Sequence, residues 1–89
     1  MNEIQLKIYE IVKANIEKEE SYIINADTDL ITVGLDSIAF IKCIVALEEE
    51  FGIEISDEDL WMPTMNTIQK MTDIVEAALV RSANKKWLT

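Results

Sequence analysis

Val33-Gly34-Leu35-Asp36-Ser37-Ile38 is a tight turn that runs into the most apolar helical pattern of the chain. Gly34 supplies the backbone freedom for a sharp reversal. Asp36 is a good N-cap whose carboxylate can accept the N–H of Ile38 or Ala39, which places Ser37 at the first helical position. A hydroxyl placed there points outward beside the positive end of the helix dipole, where an attached phosphate is favoured by roughly 0.3–1 kcal/mol. Asp-Ser is also an ordinary helix cap, so the dipeptide alone leaves a structural role and a phosphate-bearing role both open.

Downstream, the pattern predicts a helix over 37–51. Phe40, Ile44, Leu47 and Phe51 form one apolar stripe wide enough to face a core. Ile38, Ile41 and Val45 form a second stripe beside it. That second stripe is either covered by the short helix that follows or partly exposed as a docking surface, with Ile38 the most exposed and Val45 the least. Gly52 ends the helix, and Ser56 and Asp59 are spaced to cap a brief helix over 57–61 that Pro63 stops. Trp61 and Met62 are candidates to line the groove between this short helix and the preceding one, with plain core packing as the competing role.

Upstream, Asn2 and Gln5 have capping-box spacing, and Ile4, Ile8, Ile11 or Val12, and Ile16 predict a first helix over 3–18. Between 19 and 35 there is no sustained helical period. The apolar residues in this long segment argue that it lies across the bundle rather than looping free. Asp27-Thr28-Asp29 resembles the opening of a calcium loop but lacks the later glycine and glutamate, so these aspartates are expected to start turns. At the other end, Asn66 and Gln69 have capping-box spacing, and Ile68, Met71, Val75, Ala78 and Leu79 predict a last helix over 67–82. A frayed tail should follow, from which Trp87 can fold back. The fold class is therefore all-α, a small four-helix bundle with a long first loop and a short third helix, formed as one domain over residues 1–89.

Charge is concentrated rather than spread. Residues 27–59 hold ten acids against Lys42 alone, and the rest of the chain is balanced. Such a field repels nucleic acid and anionic membranes and steers basic partners. Glu48-Glu49-Glu50 sits at the negative end of its helix, an unfavourable place that partner attraction would explain. No apolar run reaches membrane-spanning length, and no signal-peptide pattern opens the chain, which predicts a cytoplasmic protein without membrane insertion, expected as a monomer. Cys43 is the only cysteine and there is no histidine, which argues against a disulfide, a Cys–His dyad or an ordinary zinc site. Cys43 itself is expected to act as a small buried hydrophobe. With no nucleophile–base pair and no phosphate loop, the chain is poorly equipped as an enzyme.

Asp29-Leu30-Ile31-Thr32-Val33-Gly34-Leu35-Asp36-Ser37-Ile38 resembles the phosphopantetheine attachment region of the acyl and peptidyl carrier proteins, and the run from Ala46 to Leu60 is similar to the segment that follows in that family. The resemblance implies that a phosphopantetheinyl transferase moves 4′-phosphopantetheine from coenzyme A onto Ser37, with Gly34, Leu35 and Asp36 shaping the attachment site. Acyl or aminoacyl groups then ride as thioesters from a loading enzyme to downstream synthases and transferases. Ile38, Ile41, Lys42, Val45, Glu48, Glu49 and Trp61 are the expected partner-facing residues. Met62, Met65 and Met71 would suit an interior that shelters an acyl chain. Fatty-acid carriers commonly have acidic residues two and five positions beyond the serine, where this chain has Ala39 and Lys42, and its link from Asp29-Leu30 to Gly34 is longer. Both departures favour a discrete carrier of polyketide, nonribosomal peptide or specialised fatty acid biosynthesis. The rival function is an unmodified acidic helical module that holds a basic amphipathic helix.

Overall fold

The computed structural model describes residues 2–16 and 24–88, with side chains as far as residue 83, and is all-helical there. Three α-helices form: α1 (Glu3–Asn15), α2 (Ser37–Phe51) and α3 (Ile68–Leu88). α1 packs against both α2 and α3, which meet each other more sparingly. Among the described residues, no helix is long and apolar enough to cross a membrane.

The start of α1 keeps half of the expected capping box. Asn2 Oδ1 accepts the Gln5 N–H at 2.8 Å, but the Gln5 side chain reaches Gln69 Oε1 on α3 at 3.1 Å instead of turning back. The helix ends three residues earlier than periodicity suggests, because Ile16 is already extended, and residues 17 and 18 lie outside the described residues. Ile8 and Val12 are fully buried, with Ile4, Ile11 and Ile16 packed around them.

The expected third helix over 57–61 is replaced by two 3₁₀ turns, Asp57–Asp59 and Met62–Thr64. Ser56 still caps the first, its hydroxyl accepting the Glu58 N–H at 3.3 Å. Leu60 and Trp61 have already left helical geometry, and Pro63 has no N–H to bond to the Asp59 carbonyl, so two single turns with i→i+3 bonds form in place of one α-helix. Expected core packing fails for Trp61, which is 64% exposed, whereas Met62 is half-buried against the core.

At the last helix it is Thr67, not Asn66, that caps, with Oγ1 accepting the Lys70 N–H at 3.0 Å. α3 then continues through the expected frayed tail to Leu88. Trp87 and its expected fold-back lie outside the described side chains. Ile68, Met71, Val75 and Ala78 are buried as the period requires, and Thr72, buried among them, satisfies its hydroxyl by donating to the Ile68 carbonyl at 2.7 Å.

The core is shared between helices and the loop. Ile24, Leu30, Val33 and Leu35 are buried alongside Phe40, Ile44 and Leu47 of α2, so the described part of the long first loop, from Ile24 on, lies against the bundle, while Tyr22 and Ile23 fall outside the described residues. Met65 and Met71 are fully buried and act as core filling. Cys43 is fully buried too, and burial pushes its thiol up from 9.0 to about 11. The unfolded chain loses that proton first, so this group's contribution to stability is present below about pH 9 and declines as pH rises toward 11. The folded, unloaded protein should show no thiol that reacts rapidly with an aromatic disulfide reagent near pH 8, and loading a phosphopantetheine arm should add one. A fast-reacting thiol in the unloaded protein would contradict the burial of Cys43.

Candidate functional site

The turn that presents Ser37 is built by a run of short-range bonds. Asp29 starts it, its carbonyl accepting the Thr32 N–H and its Oδ1 accepting the Ile31 N–H, both at 3.1 Å. The Leu30 carbonyl accepts both the Val33 N–H at 3.2 Å and the Leu35 N–H at 2.9 Å, which closes the coil on itself. Gly34 makes the reversal at φ 114°, a conformation that side-chain-bearing residues rarely adopt. Leu30, Val33 and Leu35 bury their side chains and fasten the coil to the core.

A second set of bonds ties this coil to the start of α3. The Leu30 N–H donates to the Asn66 carbonyl at 2.8 Å, Asn66 Nδ2 donates to Asp29 Oδ1 at 3.1 Å, and Lys70 Nζ donates to Asn66 Oδ1 at 3.0 Å. The Gln69 N–H donates to the Ala26 carbonyl at 2.9 Å. Asn66 thus clasps the loop instead of capping the helix. Its partner Asp29 is 37 positions away, so no local spacing in the sequence betrays the role.

At the end of the coil Asp36 caps α2 from an extended backbone, its carboxylate accepting the Ala39 N–H at 2.8 Å while its carbonyl accepts the Phe40 N–H at 2.8 Å. Ser37 is the first residue of α2 and is exposed. Helix geometry leaves the N–H groups of Ser37 and Ile38 without intrahelical acceptors, so the positive end of the helix remains close to the hydroxyl. Asp36→Ala should cost about 1 kcal/mol of stability through loss of the cap, read as a lowered urea midpoint. An unchanged midpoint would mean that the cap contributes nothing to holding Ser37.

The partner-facing candidates divide. Ile38, Ile41 and Val45 are exposed by 70%, 56% and 48%, so the second stripe of α2 is not covered by the 3₁₀ turns. Lys42 and Glu49 are exposed on the same helix, and Trp61 lies on the separate segment between the two turns. Glu48 departs from expectation: it is half-buried, and its carboxylate accepts the Ile55 N–H at 2.9 Å, pinning the link after Gly52. Glu50 is taken as well, by Lys7 of α1 at 3.2 Å. Internal bonds therefore account for two members of an acidic triplet that partner attraction was expected to explain. Ala39 also departs, since it is buried rather than on the exposed side of α2.

An exposed primary hydroxyl, a capped helix start and an anchored turn fit a covalently attached phosphodiester. The phosphopantetheine attachment site family matches residues 7–75. The chain is 37% identical over 75 residues to an acyl carrier protein of Buchnera aphidicola subsp. Schizaphis graminum, covering 84% of this chain and 92% of that protein. It is 36% identical over 76 residues to an acyl carrier protein of Buchnera aphidicola subsp. Acyrthosiphon pisum, covering 85% and 92%. With the chloroplastic acyl carrier protein 2 of Spinacia oleracea it shares 32% identity over 84% of this chain and 56% of that protein. A family match over most of the chain and relatives covered almost end to end agree with the geometry of the turn, and the chain belongs to the acyl carrier protein family, whose prosthetic group is covalent 4′-phosphopantetheine.

Proposed function

We propose that Ser37 is the attachment point and that residues 1–89 work as one non-catalytic carrier domain. A phosphopantetheinyl transferase loads the arm, a loading enzyme charges its thiol with an acyl or aminoacyl group, and downstream synthases or transferases draw on the thioester. The two 3₁₀ turns take the place of the third helix in a four-helix carrier bundle. The observation that carries this function is the exposed Ser37 hydroxyl, set at the start of α2 by the Asp36 cap and by the buried anchors on either side of Gly34.

In this role the acidic segment, with the exposed Glu49, steers partners, and the exposed Ile38–Ile41–Val45 stripe and Trp61 give them an apolar footing. The exposed Lys42 and the long link from Asp29-Leu30 to Gly34 support a specialised polyketide, nonribosomal peptide or fatty acid pathway over general fatty acid synthesis, whereas the buried Ala39 no longer bears on that choice. Incubation with coenzyme A and a broad-specificity transferase should add the mass of one phosphopantetheine, and peptide fragmentation should place it on Ser37. If the folded protein gains no mass while a control carrier does, the exposed stripe instead serves an unmodified module that binds a basic helix.

A further inference from the structure

A groove of about 240 Å³ opens next to the first turn of α2, walled by Ala14 and Asn15 at the end of α1, by Gly34 and Asp36 of the turn that precedes Ser37, and by Ile38, Ala39 and Lys42 of α2. We propose that the loaded phosphopantetheine arm lies back in this groove, with Lys42 holding it; the inference rests on Ser37 being the attachment point.

Among the described residues, Ala14, Gly34 and Ala39 project no more than a methyl group into the groove, and the φ of Gly34 resists any larger residue. Among the described residues that line it the one cation is Lys42, which is also the only basic residue between Asp27 and Asp59. Lys42 sits one turn beyond Ile38 on the same face. Side chains on a helix lean toward its N-terminus, so the ammonium is carried back toward the first turn. A phosphodiester on Ser37 would lie beside the Asp36 carboxylate, in the most acidic part of the chain. The partial charge of the helix end offsets that repulsion only in part, and a full positive charge on the groove wall supplies the rest.

The remaining walls suit the rest of the arm, which carries two amides and a pair of methyl groups. Asn15 Nδ2 is committed to the Ile11 carbonyl at 2.8 Å, which leaves Asn15 Oδ1 as an acceptor for an amide N–H. Ile38, 70% exposed, offers an apolar surface to the methyls. An arm resting here leaves Ile41, Val45 and Trp61 open, so the carrier can meet a partner before the arm is released.

The test compares amide NMR spectra of unloaded and fully loaded protein, with loading verified by intact mass. Signals of Ala14 and Asn15 should move as much as that of Ile38, while those of Leu60 and Trp61 stay in place. Two variants check the cause. Lys42→Glu reverses the holding charge, and Ala14→Leu fills the groove with a residue that suits an exposed helix position; each, once loaded, should reduce the amide shifts at positions 14 and 15, measured against the same variant unloaded, by more than half. Shifts confined to residues 36–39, or shifts at α1 that persist in both variants, overturn the docked arm while leaving the carrier function intact. Absence of any mass gain at Ser37 overturns both.

Discussion

Leu30→Ala should destabilise the protein by about 2–5 kcal/mol, a large share of the roughly 5–15 kcal/mol that holds a domain of this kind together. Leu30 is fully buried, so the substitution removes its packed atoms and leaves a cavity. The same residue is the junction of the serine turn, its carbonyl accepting two N–H groups and its own N–H donating to Asn66. Loss of its side chain therefore loosens the segment that aims Ser37 as well as the core. Urea denaturation should show a midpoint lowered by more than about 1 M. Ile31→Ala is the matched control, one residue along the same turn but 43% exposed, and its effect should stay within about 0.5 kcal/mol. Equal losses for the two would mean that the loop is not part of the core.

Ser37→Ala should have the opposite profile, complete loss of phosphopantetheine attachment with stability unchanged within about 0.5 kcal/mol. The side chain is exposed, and the cap belongs to Asp36, so deleting one oxygen leaves α2 as it was. Intact mass after incubation with coenzyme A and transferase reads the first effect, and the urea midpoint reads the second. A full mass gain on the alanine variant would move the attachment to another hydroxyl and remove Ser37 from its role. Together the two variants separate the residue that performs the chemistry from the residue that aims it.

Much of this arrangement was legible in local sequence because its causes are local. Asp36 capping α2, the period of Phe40, Ile44 and Leu47, and Gly52 ending the helix in a left-handed conformation each follow from residues within a few positions of one another. Glu48 departs from its expected role for the complementary reason. Its bond to the Ile55 N–H depends on how the chain folds back after Gly52, seven residues on, and no charge count foresees that. The short third helix failed through competition between nearby forces, since capping favoured a helical start while Pro63, with no N–H to donate, limited it to 3₁₀ turns.

The sequence by itself determined the helical class, a loop that buries part of its apolar content, and the serine at a capped helix start, because capping, glycine conformation and hydrophobic period act over one or two turns of chain. Tertiary structure alone decided that Asn66 clasps Asp29, that Glu48 and Glu50 are spent on internal contacts, that Ile38, Ile41 and Val45 stay uncovered, and that a groove with Lys42 on its wall opens next to the first turn of α2. Those outcomes depend on which distant surfaces meet when the helices pack, a choice made by the whole core at once.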